Sequence, residues 1–588
     1  MSIIRKLMHG LEKKYKTAAV IAPLSIMGEV LLEVFIPLIM ARIIDIGIAN
    51  RDVSYVVRTG AIMVGAAFLS LICGCVAARF AAVASFGFSR NLRRRLFDKV
   101  QNFSFSNVDK FSTASLVTRL TTDVTNVQNT FQMIIRMCFR APFMFISAIA
   151  MGMYINRRLS VVFLVCIPLI AIPVGLIMVK TFPRFQKMFK KYDALNADVQ
   201  ENLIGIRAVK AFVREGYEKE KFTQTADNLR KLQVNAEKLV ILNWPIMQLV
   251  MFLGIIAVLW FGGNMIIVGD MQTGELISFI TYLIQILMSL MMISMLFVML
   301  NISRASVQRI CEVIDEEIDL KSPPETAESS VPPADGSVCF KNVSFSYDNN
   351  PDTAVLRDVN IKIPSGAVVG ILGGTGSSKT TLVHLIPRLY DVLEGSVEVG
   401  GRDVRTYGLE TLRSSISMVL QKNVLFSGTI EENLRWGNPS ATDDDIKKAC
   451  VASCADRFIT SFPDGYKTML GQGGVNVSGG QKQRLCIARA LLKKPKILIL
   501  DDSTSAVDTA TDASIRKSLR ESLPETTKII IAQRVASVQD ADIIFILDEG
   551  RVIDSGTHES LLSSCGIYRE VYESQLKGSG DMDKVEED

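Results

Sequence analysis

The segment GGTGSSKTT at positions 373–381 carries the strongest chemical signal in the sequence. It follows an apolar, strand-like run, VVGIL, and precedes a helical pattern, TLVHLIPRL. A glycine-rich loop in this context predicts a phosphate-binding P-loop, because N–H groups of the loop and of the helix N-terminus face the phosphates. Lys379 is predicted to reach the β- and γ-phosphates of a nucleotide, and Thr380 to hold Mg²⁺. The predicted phosphate-binding residues are Gly373, Gly374, Thr375, Gly376, Ser377, Ser378, Lys379, Thr380 and Thr381.

One position of this loop departs from the usual pattern. A P-loop normally has glycine immediately before the lysine, whereas this sequence has Ser378. We expect serine to be tolerated if the backbone does not need a positive φ there, since glycine alone adopts that conformation without cost. The substitution bears on nucleotide affinity and leaves the assignment of the loop unchanged.

Two further segments complete a predicted nucleotide site. The strand-like run KILILDDS reaches Asp501, and an acid at the end of a buried strand that follows a P-loop is the Walker B arrangement, which orients Mg²⁺. Between the two lies VSGGQKQRLCIARALL at 477–492, where Gly-Gly before a helix presents N–H groups to an anion.

The SGGQ sequence is the point at which the chain resembles the ABC ATPases, where it is the signature motif. The motif comprises Ser478, Gly479, Gly480 and Gln481. The resemblance implies that Tyr347 stacks on adenine, that Gln421 in MVLQKNVLF is the Q-loop glutamine, and that Asp508 in SAVD belongs to the D-loop. It implies ATP and Mg²⁺ as cofactors, with the metal held by Thr380, Gln421 and Asp501. The segments VTRLTTDV and ENLIGIRAVKAF also look like those of ABC exporter half-transporters, so the resemblance covers nearly the whole chain.

The sequence departs from this family at two catalytic positions. Active members have a glutamate after the Walker B aspartate and a switch histidine about thirty residues later, where this chain has Asp502 and Gln533. Its only histidines are His9, His384 and His558, and none fits that motif. Gln472 also stands before the signature, where the family often has glutamate. We predict that this chain's own site binds ATP and hydrolyses it poorly; a slow but competent ATPase is the alternative.

These departures make an asymmetric assembly the simplest functional one. In the family, two nucleotides lie between two head-to-tail ATPase domains, each held by one chain's P-loop and the other chain's signature. A homodimer would have two poor sites, whereas this chain's intact SGGQ could complete a partner's good site. We therefore predict a heterodimer with a second ABC half-transporter that carries the glutamate and the histidine and has an altered signature.

Other functions stay open at this stage. One is a homodimeric exporter that hydrolyses slowly with Asp502, and another is a gated channel or regulatory protein that uses ATP binding alone. The membrane spans described next exclude a soluble ABC protein of repair or translation. An importer is disfavoured, because the importers of this family usually keep membrane and ATPase domains on separate chains.

The elements that position this site divide the chain into a membrane part and a soluble part. The 588 residues are 49% apolar and the mean hydropathy is +0.28, which indicates a mixed chain. A net charge of +5 is small for this length and does not indicate binding to nucleic acid. Ten scattered cysteines predict reduced, mostly buried thiols. Six stretches have the length of about 20 apolar residues that a bilayer requires, near 17–40, 56–84, 133–155, 159–180, 240–268 and 276–300.

Basic residues in the connections predict the orientation of these spans. The connection after the second span holds Arg90, Arg93, Arg94, Arg95 and Lys99, and that after the fourth holds Lys187, Lys190 and Lys191. Both are therefore expected in the cytoplasm with both termini, although Arg157 and Arg158 lie in an external turn. The spans should continue as helices past the membrane and turn near 109–115 and 212–219 to contact the ATPase domain.

Polar residues inside the spans admit two explanations. Glu29 and Glu33 lie four residues apart on one helix face, so they could attract a cationic substrate or pair with an arginine of another helix. Arg136 and Arg140 are charged residues at the start of the third span. A methionine stripe in the sixth span suits either a promiscuous pocket or, more simply, helix packing. The stripe comprises Met288, Met291, Met292, Met295 and Met299.

The predicted fold class is an all-α membrane domain of six long helices followed by an α/β P-loop ATPase domain of the ABC type. The predicted boundaries are 1–320 for the membrane domain, 321–336 for a Pro- and Ser-rich linker, 337–574 for the ATPase domain and 575–588 for an acidic, disordered tail. We expect a multidrug-type exporter in a bacterial plasma membrane. Amphiphilic small molecules or lipids are the expected substrates, by family analogy alone.

Overall fold

The computed structural model describes residues 3–324, 326–503 and 507–580. The chain forms two compact units, one of residues 1–101 and 112–316, the other of residues 102–111 and 317–588. The helices of the first unit are α1 (Ile3–Leu7), α2 (Lys13–Arg42), α3 (Val53–Gln101), α5 (Thr113–Thr118), α6 (Val124–Ile155), α7 (Val161–Ile204), α8 (Ile206–Ala211), α9 (Glu215–Ile241), α10 (Asn243–Val268) and α11 (Thr273–Asp315). Helix α4 (Phe105–Phe111), between α3 and α5 in the chain, belongs to the second unit. Short π-helical turns at Ile43–Ile48 and Arg119–Asp123 join neighbouring helices.

The prediction of six membrane spans is confirmed for the described residues. Six helical stretches are long and apolar enough to cross a bilayer: Lys13–Ile48, Val53–Gln101, Thr113–Ile155, Val161–Ile204, Glu215–Val268 and Thr273–Phe297. Helix α3 has 49 residues, which at 1.5 Å per residue is about 74 Å, more than twice the roughly 30 Å hydrocarbon core. These helices therefore continue far beyond the apolar segments from which the sequence located them.

The first unit is held together by apolar faces of its long helices. Ile26, Val30 and Val34 lie one turn apart along α2 and are buried in an apolar cluster that also includes side chains of α11. The fully buried Tyr282 of α11 donates a hydrogen bond of 2.6 Å from its hydroxyl to the Val34 carbonyl oxygen, which satisfies its polar end inside the helix interface.

The intramembrane glutamates pair with an arginine, the second of the two explanations that the sequence allowed. The Arg140 guanidinium on α6 lies 2.8 Å from Glu29 Oε1 and 2.7 Å from Glu33 Oε1. One cation thus bridges two carboxylates on the same face of α2, and it links α2 to α6 where isolated charges would be costly.

A second ion pair ties the turn before α6 to α11. The carboxylate of Asp123 is completely buried and accepts a hydrogen bond of 2.7 Å from Arg309 Nε. A buried carboxylate that loses its only cation retains the full cost of desolvation. The Asp123–Arg309 pair is therefore a point at which one substitution should destabilise the first unit.

We expect Arg309→Met to lower the thermal unfolding midpoint of the purified full-length chain by about 5 °C, from an unpaired buried charge that costs about 2–3 kcal/mol. The matched control is Arg94→Met, because Arg94 pairs with Asp98 at 3.8 Å with both side chains mostly exposed. That control should shift the midpoint by about 1 °C or less. Equal shifts in the two variants would contradict this assignment.

The second unit is an α/β domain. Its strands are β1 (Val338–Phe345), β2 (Leu356–Ile363), β3 (Val368–Leu372), β4 (Glu394–Val399), β5 (Arg402–Asp403), β6 (Ile416–Val419), β7 (Gly428–Thr429), β8 (Met469–Leu470), β9 (Ile497–Asp501), β10 (Thr527–Ile531), β11 (Ile543–Asp548) and β12 (Arg551–Gly556). Its further helices are α12 (Lys379–His384), α13 (Leu409–Ser414), α14 (Ile430–Arg435), α15 (Asp443–Ala452), α16 (Asp456–Ile459), α17 (Gly479–Leu492), α18 (Thr509–Ser522), α19 (His558–Ser564) and α20 (Gly566–Gly580).

The main sheet has six strands in the order β12-β11-β3-β10-β9-β6. Its strands are parallel except for β12, which runs antiparallel to β11. Runs such as ILIL in β9 and KIII in β10 are buried throughout, because helices and loops cover both faces of a parallel sheet. A separate four-stranded antiparallel sheet, in the order β2-β1-β4-β5, packs on the same apolar core.

Two regions differ from the detailed expectations. The tail is predicted to begin at 575, whereas α20 continues to Gly580. Tyr568, near the start of this helix, is buried in the core, and residues 581–588 lie outside the described residues. The first connecting turn, predicted near 109–115, is helix α4, and residues 102–111 belong to the ATPase unit. The second turn lies at 212–214, between α8 and α9 in the first unit.

Candidate nucleotide site

The parallel sheet places the predicted site residues at a single edge. In the sheet, Ile531 at the end of β10 lies opposite both Ile371 of β3 and Asp501 of β9. The loop after β3 is the predicted P-loop, and the residue after β9 is Asp502. Gln533 follows β10 by two positions and Gln421 follows β6 by two. Ligands of open parallel sheets bind at this carboxyl edge, so the strand register brings four separate segments to one site.

The lysine of the P-loop hydrogen-bonds to other residues of the same loop. Lys379 Nζ donates hydrogen bonds to the carbonyl oxygens of Gly373, at 2.8 Å, and Gly374, at 2.7 Å, and to Ser377 Oγ at 3.2 Å. Burial lowers the pKa of Lys379, while the carboxylates of Asp502 and Asp501 oppose that shift. The ammonium is thus held at the loop where phosphate oxygens would replace the carbonyls as its acceptors.

The expectation for Ser378 requires a correction. The residue has φ +68°, in the left-handed region, so the backbone at this position does need the conformation that favours glycine. A serine in this left-handed conformation is strained by about 1 kcal/mol or more. The loop keeps its shape because Ser377 Oγ donates to the Gly374 carbonyl at 2.8 Å and Lys379 binds the same carbonyl.

Thr380 and Asp501 fit a magnesium site. Thr380 Oγ1 donates a 2.9 Å hydrogen bond to Asp501 Oδ1, and Asp501 is only 1% exposed. Among the described residues, no group hydrogen-bonds to the buried Asp501 Oδ2. Burial raises the pKa of Asp501, and the charge of Asp502 adds to the shift. A buried carboxylate oxygen beside a hydroxyl is the donor set that Mg²⁺ prefers, and bound Mg²⁺ neutralises charge on phosphate oxygens. Gln421, the third predicted ligand, is exposed at the same edge.

The two residues that depart from the family contact each other. Gln533 Nε2 donates a 3.1 Å hydrogen bond to Asp502 Oδ2, and Gln421 also hydrogen-bonds to the Asp502 carboxylate. Burial raises the pKa of Asp502, against the effect of these hydrogen bonds and of the Lys379 charge. Asp502 has φ +45°, another strained position at this edge. Its carboxylate is therefore held by two amides at the point where a general base would face the attacking water.

The signature motif forms the start of α17. Ser478 Oγ accepts from the Gln481 backbone N–H at 3.3 Å, and the Gln481 side chain accepts from the Ser478 N–H at 2.9 Å, which together form a capping box. Gly479 and Gly480 are the first two residues of α17, and as glycines they place no side chain over the N-terminus of the helix. Asp508 caps α18 by accepting from the Thr511 N–H at 2.9 Å, and this hydrogen bond lowers the pKa of Asp508.

The predicted adenine platform lies beside the P-loop helix. Tyr347 is 50% exposed, so its ring has a free face, and its hydroxyl lies 2.8 Å from Thr381 Oγ1. Arg534, which was not predicted from the sequence, also acts on this site, because its positive charge lowers the pKa of Asp502. Its position directly after Gln533 in IIIAQRVAS was the available signal.

Comparisons with known proteins identify the family of this chain. The family described as the ABC transporter transmembrane region matches residues 20–290, and the family described as ABC transporter matches residues 356–505. The uncharacterized ABC transporter ATP-binding protein YfiB of Bacillus subtilis is 38% identical over 569 residues, which cover 97% of this chain and 98% of YfiB. The chain belongs to the ABC transporter family. The ATP-dependent lipid A-core flippase of Desulfotalea psychrophila is 34% identical over 490 residues, covering 83% of this chain and 84% of the flippase.

A solved structure gives the same fold for the whole chain. A bacterial Atm1-family ABC exporter with ATP bound superimposes with a TM-score of 0.79 at 23% identity, covering 96% of this chain and 99% of that one. The chain is a half-size ABC transporter with the fold of that exporter, in which one transmembrane domain is joined to one ABC ATPase domain. It is a multi-pass membrane protein, and its ATPase domain binds ATP and couples hydrolysis to transport.

We expect Asp501→Asn to stabilise the exporter in the absence of nucleotide and Mg²⁺ by about 1 kcal/mol, because it removes a buried charge. A carboxyl with a raised folded-state pKa destabilises the folded state fully above that pKa. The difference in unfolding midpoint between variant and wild type should therefore narrow as the pH falls toward the unfolded-state value of about 3.9.

The same variant should lose the extra thermal stabilisation that Mg²⁺ with ATP gives over ATP with a chelator. The control is Asp548→Asn, at the exposed end of β11 in the same sheet, which should change neither measurement. A variant that is less stable than wild type without metal would contradict the interpretation of Asp501 as a buried, incompletely paired ligand.

Proposed function

We propose that this chain is one subunit of a heterodimeric ABC exporter. Its own P-loop site binds ATP with Mg²⁺ and hydrolyses it poorly, while its signature motif, Ser478–Gln481, completes the hydrolysing site of a second ABC half-transporter. The observation that carries the proposal is the hydrogen-bonded pair of Asp502 and Gln533, the two positions at which the chain departs from the family's catalytic pattern.

Reach is the first reason for poor hydrolysis. Aspartate is one methylene shorter than glutamate, so the Asp502 carboxylate lies about 1.5 Å farther back along an extended side chain. A general base must lie within about 3 Å of the water that it activates, and a misplacement of about 1 Å can reduce the rate roughly 100-fold. The hydrogen bonds from Gln421 and Gln533 hold the shorter carboxylate in that retracted position.

Charge is the second reason. A switch histidine can donate as a cation to the γ-phosphate, whereas the Gln533 amide is neutral and its Nε2 already donates to Asp502. Charge-assisted hydrogen bonds to phosphate are roughly twice as strong as neutral ones. The site therefore keeps Lys379, Thr380 and Asp501 for binding ATP and lacks two groups that favour the transition state.

The P-loop site of this chain lacks two catalytic groups, whereas its signature motif is complete, and this asymmetry is the reason to propose a different partner chain. The motif at the start of α17 is formed and capped, so it can serve a P-loop on another chain. We expect that partner to have a Walker B glutamate, a switch histidine and an altered signature. In the proposed cycle, ATP keeps this chain's site closed while hydrolysis at the other site resets the dimer. A homodimer that hydrolyses slowly with Asp502 is the competing function.

For the cargo we propose amphiphilic small molecules or lipids, exported across a bacterial plasma membrane from a cytoplasmic side that holds both termini and the ATPase domain. The similarity to a lipid A-core flippase supports a lipid-like cargo, and the bacterial relatives support the location. The excess of arginine and lysine after the second and fourth spans supports the orientation.

Gentle purification of the tagged chain from its native membrane, followed by mass spectrometry, tests the heterodimer. We expect a second ABC half in equal amount, with glutamate after its Walker B aspartate and a switch histidine. Recovery of this chain alone, as a dimer that hydrolyses ATP, would overturn the proposal and favour the homodimer.

Restoring both catalytic groups should activate the site. We expect Asp502→Glu with Gln533→His to raise hydrolysis of the ATP bound to this chain by about 10- to 100-fold in single-turnover assays of the purified complex. The control carries the same changes at exposed positions outside the site, Asp464→Glu with Gln539→His, and should match the wild type. A wild-type site that already turns over as fast as the restored one would contradict the proposal.

A further inference from the structure

A glutamine of helix α20 hydrogen-bonds to the backbone of residues 532–535, the segment after β10 that we call the switch loop. Gln575 Nε2 donates to the Gln533 carbonyl oxygen at 2.9 Å, and Gln575 Oε1 accepts from the Val535 N–H at 2.9 Å. Arg534, between these two peptide groups, has an extended backbone with φ −100° and ψ 128°. The carboxamide therefore pairs with the loop as a peptide group of a neighbouring parallel strand would.

Helix α20 gives this glutamine a fixed starting point. Tyr568, near the start of the helix, is fully buried in the apolar core of the ATPase unit, and its hydroxyl lies 2.6 Å from His558 Nδ1 of α19. The His558 ring also meets the Tyr572 ring of α20 edge-on, with centroids 5.2 Å apart. Gln575 lies on the turn of α20 that follows Tyr572, so its side chain leaves an anchored backbone.

Other elements anchor the switch loop at its two ends. The Ala532 N–H donates to a carbonyl oxygen of β3 at 3.3 Å. Ser537, just beyond the loop, donates from its hydroxyl to a carboxylate oxygen of α18 at 3.1 Å. Between these anchors, Gln575 binds both peptide groups that flank Arg534. Loss of the Gln575 amide should therefore release the middle of the loop while β10 and the turn after the loop stay attached.

We propose that Gln575 is a positioning residue of the nucleotide site and acts through Gln533. By fixing the Gln533 carbonyl, it sets the direction in which the Gln533 side chain leaves the backbone. One N–H of that side chain donates to Asp502, and the second can donate to a γ-phosphate oxygen. Gln575 therefore favours nucleotides that have a γ-phosphate. The inference rests on the proposed function, because it requires that this chain's P-loop site binds ATP with Gln533 at the switch position.

Competition between nucleotides at this chain's site tests the inference in the full-length protein and its native assembly. Photoreactive, radiolabelled ATP would be displaced on ice with unlabelled ATP or ADP, and the crosslinked label measured on this chain alone. Gln575→Met keeps the length of the side chain and loses both hydrogen bonds. We expect its preference for ATP over ADP to fall about three- to tenfold, the effect of losing a hydrogen bond of ordinary strength. Affinity for ADP, which has no γ-phosphate, should stay within about twofold.

Amide hydrogen exchange and two further variants make the result specific. Peptides that cover 532–538 should exchange about three- to tenfold faster in Gln575→Met, because the Val535 N–H loses its acceptor. The matched control is Glu573→Met, at an exposed position of the same helix, and it should behave as the wild type in both measurements. In a Gln533→Ala background, adding Gln575→Met should not lower the preference for ATP further, since Gln575 acts through Gln533.

The outcomes separate this inference from the proposed function. An undiminished preference for ATP in Gln575→Met would overturn the inference, as would equal losses of ATP and ADP affinity, which indicate a structural role alone. Rapid hydrolysis at this site, with a preference for ATP that still depends on Gln575, would overturn the proposed poor hydrolysis and support the positioning role. Absence of labelled ATP on the wild-type chain would overturn both the proposed nucleotide site and the inference.

Discussion

The parallel pairing of β10 between β3 and β9 is the constraint on which the nucleotide site depends. Each strand pair is held by backbone hydrogen bonds in one register, with Ile531 opposite both Ile371 and Asp501. A slip of one residue would turn every side chain of a strand to the other face and disrupt its packing against the apolar clusters that cover both faces of the sheet, so this packing fixes the register. The register in turn fixes which residues leave the sheet edge together: the P-loop, Asp502 and Gln533.

The same edge concentrates features that cost stability. Asp501 is a buried carboxylate, one oxygen of which has no hydrogen-bond partner among the residues that the structure describes, and Ser378 and Asp502 both have positive φ. Each costs on the order of 1 kcal/mol or more, and such positions persist where the surrounding structure over-determines them. The central strands provide that rigidity. A site arranged in this way is preorganised for phosphate and Mg²⁺ even though its base is short and its switch residue is neutral.

The sequence was sufficient where local pattern and chemistry coincide. Six apolar runs predicted the spans, and the run with the glycines and Lys379 predicted a loop between a strand and a helix, which the structure has between β3 and α12. It was insufficient where the outcome depends on distant packing. The positive φ of Ser378 follows from the path of the loop between β3 and α12, and the contact of Gln533 with Asp502 requires adjacent strands to be placed first. Likewise, the choice between a cation site and an ion pair for Glu29 and Glu33 depended on where α6 carries Arg140.

The measurement that tests the account most directly is the identity of the nucleotide held by this chain during turnover. The working complex would be supplied with a photoreactive, radiolabelled ATP, crosslinked after several turnovers, and each subunit analysed for triphosphate and diphosphate. The account predicts that the label on this chain is mostly triphosphate while the label on the other subunit is mostly diphosphate. Equal proportions of diphosphate on both subunits, formed at equal rates, would contradict the claim that Asp502 and Gln533 make this a site that binds ATP and hydrolyses it poorly.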